Sequence, residues 1–478
     1  MSSVTSKSVR GVVWSAIESF SLQGVQFLIG IVLARLLTPS DFGMIGMLTI
    51  FMSISQTFID CGFSSALIRQ KNTTEQDYGT AFLLNFVISL IAFGILFGVA
   101  PFVADFYNMP DLEAVMRAIS TTLIINALFV VHKARLTRAI EFKTQSKVTL
   151  TAAVLSGGLG IYLAYNGFGV WSLVYQSICN SLLMLILMTI LMKWFPKPVF
   201  HKKSFDELFG FGSKILVASL ISSIYSNLYN IVIGKRYSAT ELGHFTRADQ
   251  LGKFPSQNIA GIMSRVTLPI LSQLQDDPNQ LRTVYEKYLK VTCFVVFPLM
   301  MGLAALAEPV VVLLLGEKWT PAVSMLQILC FGLMLDPICN INLNLLYVKG
   351  RSDLVLRLEI IKKTIAVSIL VITSFGGVVW MCVGSACYGY IATILNTRYT
   401  GRFIGLNTFR QMKQIAPYYV LSLVMAAIVY GVSTLTIENN LARLAVGCIS
   451  GMTVYLGVAF IFKMDALKEI LKIVKLKK

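Results

Sequence analysis

Histidine is nearly absent from this chain, with three in 478 residues. His132, His201 and His244 stand far apart and offer no zinc-ligand spacing. The eight cysteines form no C-x-x-C pair and fall in or near apolar runs. That pattern argues against a metal or redox centre and for small buried packing residues, and no cofactor is expected. Charge is scarce as well: 14% of residues are charged and 55% hydrophobic. A soluble domain carries about 25% charged residues. The shortage argues against a soluble enzyme and for an all-α integral membrane protein. Acidic residues are the scarcer sign, 24 against 41 Lys+Arg, for a net charge of +17. In a soluble protein that balance would suggest nucleic acid. Here the basic residues sit in short loops between apolar runs, where they set orientation and meet anionic membrane lipid, so no nucleic-acid partner is expected. A G-x-S-x-G elbow, a Walker A loop and a dinucleotide fingerprint after a strand are all missing, so the expectation is not an enzyme, with no catalytic residues and no nucleotide-binding module. No cleavable signal pattern is present either. The first apolar run, Trp14–Leu36, is long and carries Glu18, and reads as an uncleaved span.

What the chain does have is length in hydrocarbon. A span needs about 20 residues, and about fourteen such runs follow one another as far as Phe462. The seventh is Ser213–Gly234 and the eighth Leu242–Arg265. The eleventh and twelfth, Leu358–Phe375 and Val378–Asn396, meet at Gly376–Gly377, with Glu359, Lys362 and Lys363 at the start of the former. Basic residues cluster in alternate loops: Lys7 and Arg10, then Arg69 and Lys71, then five between Lys133 and Lys147, and again in the tail. Phe106–Glu113 and Asn166–Gly169, on the other side, have no Lys or Arg. The positive-inside rule then puts both termini in the cytoplasm of a cell-membrane protein. Two segments read as interfacial. Asp277–Pro278 opens a helix with Leu281, Val284, Tyr285 and Tyr288 on one face, and Leu467, Leu471 and Val474 line one face of the tail.

A parallel repeat shows at an offset of 200. Ile31–Val32 matches Ile231–Val232, Arg35 matches Lys235 and Gly43 matches Gly243. Thr38–Pro39–Ser40–Asp41 and Ser238–Ala239–Thr240–Glu241 are both capping-box patterns, a hydroxyl at the N-cap with a carboxylate three residues on. Each is expected to open the second helix of a hairpin. The resulting division is an N-terminal six-helix lobe over 1–200, a second over 201–400, and two further helices with a basic tail over 401–478.

The copies diverge after the shared glycine. Met44 to Leu48 is apolar, whereas His244 to Lys253 carries Arg247, Asp249 and Lys253. A charge near mid-bilayer costs about 2.5–3.5 kcal/mol on insertion scales, so it normally faces a bundle interior or a wet cavity. On a helix Arg247 neighbours Gln250, and Asp249 neighbours Lys253. Two readings stay open: these side chains snorkel to the interface, or they line a polar cavity. The seventh run is also polar, with Ser219, Ser222, Ser223, Tyr225, Ser226, Asn227, Tyr229 and Asn230.

The residues carry a resemblance along nearly the whole chain. Its marks are Leu37–Gly43 (LTPSDFG), Asp60–Gln70 (DCGFSSALIRQ), Pro101–Tyr107 (PFVADFY), Leu242–Ala248 (LGHFTRA) and Arg265–Asp277 (RVTLPILSQLQDD). In this order they resemble the polysaccharide flippases, the Wzx-like branch of the multidrug/oligosaccharidyl-lipid/polysaccharide exporter superfamily, with the look of its colanic-acid and teichuronic-acid exporters. His244–Phe245–Thr246 departs from the pattern, since the family more often has tyrosine and serine before the arginine. The resemblance implies two six-helix lobes around a central cavity that opens alternately to each side. It implies a polyprenyl-pyrophosphate-linked oligosaccharide as substrate, moved to the outer leaflet for cell-surface polysaccharide or lipopolysaccharide biosynthesis. Arg247, Lys253 and Arg35 would supply cations to the pyrophosphate. Gln23, Gln26, Tyr225, Asn227 and Asn230 would meet the glycan. Glu18, Asp60 and Asp249 are the carboxylates available for coupling to H+ or Na+. Glycan-assembly proteins are expected as partners. The alternatives are a cation-coupled drug or metabolite antiporter of the same superfamily, and a membrane glycosyltransferase or polymerase.

Overall fold

The computed structural model describes residues 21–70, 72–435 and 439–469, and these are helical almost throughout. Among them, eleven helices or helix pairs are long and apolar enough to cross a membrane. Every expected run from Gly43 onward falls on a helix or helix pair. Three expected runs lie outside the eleven: the first, of which Ser21–Leu36 is described, and the two that carry most charge, on Ala239–Gln273 and Ser352–Thr373. The chain forms two compact units, Met1–Gly243 and His244–Lys478.

The first unit holds α1 (Ser21–Leu36), α2 (Pro39–Asp60), α3 (Phe63–Arg69), α4 (Glu75–Tyr107), α5 (Asp111–Arg138), α6 (Phe142–Tyr165), α7 (Val170–Met192), α8 (Lys202–Arg236) and the start of α9 (Ala239–Gln273). α4 packs on α5, α6 on α7, and α2 on α8. α2 and α3 are one rod broken at Cys61 and Gly62, which have φ of +46° and +70°. A β-carbon on Gly62 would also lie 2.5 Å from the Gly212 carbonyl oxygen. Glycine is needed there on both counts.

The caps read from the sequence are made. Thr38 N–H donates to Asp41 Oδ2 at 2.8 Å, and Asp41 N–H donates back to Thr38 Oγ1 at 3.3 Å. Ser238 Oγ accepts from Glu241 N–H at 3.1 Å. The same box opens α4, through Thr74 and Asp77. The repeat is visible as packing. A β-carbon on Gly43 would sit 1.7 Å from the Ala239 carbonyl oxygen, and one on Gly243 would sit 1.9 Å from that of Pro39. Residues 39 and 43 thus meet 239 and 243 reciprocally. The first turns of α2 and α9 touch backbone to backbone.

The second unit continues α9 and adds α10 (Pro278–Ala305), α11 (Ala307–Leu315), a 3-10 turn (Glu317–Trp319), α12 (Pro321–Leu333), α13 (Asp336–Val348), α14 (Ser352–Thr373), α15 (Val378–Ile404), α16 (Thr408–Leu435) and α17 (Asn440–Ile461). α10 packs on α16, α15 on α12 to α14, and α16 on α17. Tyr285, Phe297, Met300 and Trp319 are fully buried at its core. Gly447 meets Leu306 and Gly451 meets Val429, so the last span's G-x-x-x-G is a packing seam.

The stripe expected at the interface packs instead within its unit: Leu281 and Tyr285 are completely buried, Val284 and Tyr288 are half-buried, and α10 runs unbroken from its Asp277 cap. The Tyr285 hydroxyl lies 2.9 Å from the carboxamide oxygens of Asn342 and Gln411. An apolar stripe looks the same in sequence whether lipid or a neighbouring helix covers it. The tail segment 465–469 likewise docks on α10, through Lys287–Glu469 at 2.5 Å and Lys290–Asp465 at 3.2 Å, with Ala466 buried. Leu471 and Val474 lie outside the described residues.

Candidate functional site

In the second unit, α9 delivers the charged stretch as helix spacing requires. Arg247 is half-buried and its Nη1 donates to Gln250 Oε1. Lys253 Nζ donates to Asp249 Oδ2 at 2.7 Å. Asp336, the first residue of α13, is close enough to Lys253, Asp249 and Lys362 to feel all three charges. Lys362 is on α14, its side chain only 7% exposed, and pairs with Glu359 one turn back. Two ion pairs, Lys253–Asp249 on α9 and Lys362–Glu359 on α14, thus lie near Asp336, which makes no ion pair of its own among the described residues. In a low-dielectric interior, attraction between such groups has to offset several kcal/mol of desolvation per ion. Asn396 on α15 adds a neutral wall. It is completely buried, and neither carboxamide atom has a hydrogen-bond partner of good geometry among the described residues.

Sequence reading picked out Arg247, Asp249 and Lys253 but not Asp336, Glu359, Lys362 or Asn396 as site residues. The available signal was weak. Asp336 precedes Pro337 and reads as an ordinary helix start, and Glu359 and Lys362 read as a blurred span boundary. His244 is buried edge-on against Trp319, with ring centroids 5.6 Å apart. Its buried Nδ1 has no hydrogen-bond partner among the described residues.

In the first unit, polarity gathers on α8 between Ser219 and Asn230, a stretch without charge. Asn227 Nδ2 donates to Ser53 Oγ at 3.1 Å and to the Ser223 carbonyl at 2.8 Å. The Ser223 and Thr57 hydroxyls are 3.1 Å apart. Asn227 is thus occupied in holding α8 to α2. Tyr225 and Asn230 are half-buried on α8. Gln23, Gln26 and Arg35 are exposed along α1. Asp60 accepts from Ser64 Oγ at the α2–α3 break. Glu18 lies outside the described residues. Of the eleven candidate spans α8 is the least buried, with 11% of its most apolar window covered. α4 is also poorly covered, at 22%, but presents Ile91, Ile95, Phe97 and Phe102, as a lipid-facing helix should. α8 instead exposes Ser222 and Ser226 beside its apolar residues.

These features can be set beside known proteins. The family model described as polysaccharide biosynthesis protein matches residues 32–324. The chain is 26% identical over 465 residues to the teichuronic acid biosynthesis protein TuaB of Bacillus subtilis (strain 168), covering 95% of this chain and 96% of that one. Its fold matches the lipid II flippase MurJ in an inward closed conformation, with a TM-score of 0.77 at 15% identity, over 95% of this chain and 100% of the other. An inward-facing multidrug resistance MATE family transporter of the MOP superfamily follows at 0.61 and 15% identity, over 81% and 98%.

Proposed function

This chain belongs to the polysaccharide biosynthesis protein family, and from that premise we propose that it flips a polyprenyl-pyrophosphate-linked oligosaccharide across the cytoplasmic membrane by alternating access. One observation carries the reading beyond the family: α8 is the least covered span, yet it is studded with serine, tyrosine and asparagine. Lipid tails offer such groups no hydrogen bonds, so a helix of this kind borders a wet cavity. Sugars need those same hydroxyls and amides. A pyrophosphate needs fixed cations, and Arg247 with its planar fork is the first candidate, supported by Lys253 and Arg35. Tyr225, Asn230, Gln23 and Gln26 are the glycan contacts in this reading. Asp249 is paired with Lys253, and so joins Asp60 and Glu18 as a group through which H+ or Na+ would be coupled. Both termini face the cytoplasm in this scheme, following the basic loops. The protein acts as a transporter and makes or breaks no covalent bond. A cation-coupled antiporter is the second reading, favoured by the MATE-like fold and by the carboxylates of the second unit.

The test is Arg247→Ala and Arg247→Lys in cells and in proteoliposomes. Arg247→Ala is expected to abolish surface glycan while the protein still reaches the membrane, and Arg247→Lys to retain part of the activity, since it keeps the charge and loses the fork. Normal export by Arg247→Ala would reduce Arg247 to an interfacial anchor. Export of an organic cation with no movement of lipid-linked glycan would favour the antiporter.

A further inference from the structure

Three helices of the first unit converge on an open pocket of about 270 Å³, with Thr49 exposed at its rim. Its polar lining is Thr49 of α2, Thr122 and Asn126 of α5, and Ser177, Asn180 and Ser181 of α7. Ile45, Leu48, Met52 and Ile119 complete it. Each contribution is one helix face: Ile45, Leu48, Thr49 and Met52 recur at three and four residues, as do Ser177, Asn180 and Ser181. The lining contains no charged residue.

The hydrogen-bonding capacity of this lining is only partly used. Thr49 and Thr122 donate to carbonyls of their own helices, at 2.9 and 2.6 Å, leaving their oxygens able to accept. Asn126 Nδ2 donates to Gln56 Oε1 at 3.2 Å, and Asn180 Oδ1 accepts from Ser156 at 3.4 Å. Among the described residues, Asn126 Oδ1, Asn180 Nδ2 and the hydroxyls of Ser177 and Ser181 have no hydrogen-bond partner. Small polar residues in membrane helices normally serve close packing, which fills the space between them. Here they line an open pocket instead.

We propose that this cavity is a subsite for one uncharged sugar residue of the transported glycan, a hexose ring by size. The inference rests on the glycan reading above. The cavity has the volume of roughly nine waters, at ~30 Å³ each, which is room for one sugar ring. Unpaired amide and hydroxyl groups match the alternating donors and acceptors of sugar hydroxyls, and the aliphatic side chains match the ring's C–H faces. A phosphate would need a cation and an organic cation would need a carboxylate, and the lining has neither. The subsite thereby separates sugar recognition in the first unit from the charged groups of the second.

The experiment measures binding to the purified full-length protein of two probes: polyprenyl pyrophosphate alone, and the same carrier bearing one neutral hexose. The variants are Asn180→Leu, which fills the cavity, and Asn180→Ala, which removes the amide and adds no bulk. Wild type should bind the hexose-bearing probe at least tenfold more tightly than the bare one. Asn180→Leu should erase that preference and Asn180→Ala should cut it severalfold, with affinity for the bare carrier unchanged in both. If Asn180→Leu also loses the bare carrier, Asn180→Ala decides: a selective loss of sugar preference supports the subsite, and an unchanged preference overturns it. Equal binding of both probes by wild type overturns the subsite while leaving the carrier reading intact. Binding of neither probe sinks the flippase reading, and this inference with it.

Discussion

The two units bury polarity of different kinds. In the first, the side chains that tie α2 to α5 and α8 are hydroxyls and carboxamides, joined by neutral bonds such as Asn227–Ser53 and Asn126–Gln56, and the ion pairs Arg117–Glu113 and Arg135–Glu75 are partly exposed. Asp41 and Asp77 serve as helix caps there. In the second, the ion pairs Asp249–Lys253 and Glu359–Lys362 flank Asp336 across α9, α13 and α14, with Lys362 buried. The difference teaches what each unit tolerates. A neutral hydrogen bond contributes about 0.5–1.5 kcal/mol and its loss is mild. Removing one partner of a buried ion pair leaves an uncompensated charge and costs about 3–5 kcal/mol. The second unit should therefore be the fragile one toward single polar substitutions. The first should be sensitive mainly where backbones touch.

The largest expected effect tests that contrast directly. Lys362→Leu strips the buried cation from Glu359, which is itself about a third exposed, and should destabilise by up to about 3 kcal/mol. Adding Glu359→Gln should restore a good part. Thermal melting in detergent reads both, and a single variant that melts with the wild type would show the pair to be solvated and the contrast unreal. Next comes Gly43→Ala. Its new methyl group would fall 1.7 Å from the Ala239 carbonyl oxygen, a clash with backbone that no rotamer relieves. A loss of about 1–3 kcal/mol is expected, as for other overpacked sites. Gly94→Ala is its control, because nothing lies within 4 Å there, and it should be neutral or slightly stabilising. The smallest effect belongs to the caps. Thr38→Ala and Ser238→Ala should each cost about 1 kcal/mol. A much larger loss at one cap would mean that its hydroxyl does more than open a helix, and that the repeat is less symmetric than its packing suggests.

Some of this was open to reading in one dimension. A capping box spans four residues, so Thr38–Asp41 and Ser238–Glu241 could be named as helix starts. Arg247 with Gln250 and Asp249 with Lys253 followed from helix spacing alone. The polarity of α8 was visible as composition, and the offset of 200 as matched residues. Asp336 and Lys362 were not legible together, because 26 positions and a turn separate them. Asn180 was not singled out either, since its partners in the cavity come from α2 and α5, more than 50 residues back in the chain.

The sequence by itself determined the membrane class, the helices with their caps, the family, and the two repeated openings. All of these depend on composition or on residues within a turn or two of each other, where covalent geometry dictates who meets whom. Only the tertiary structure decided which faces are covered. It turned the Leu281–Tyr285 stripe inward, occupied Asn227 against α2, and gathered the ion pairs of one unit and the neutral cavity of the other. The helix period names the side of a helix, and the identity of what packs on that side is a property of chain segments far apart.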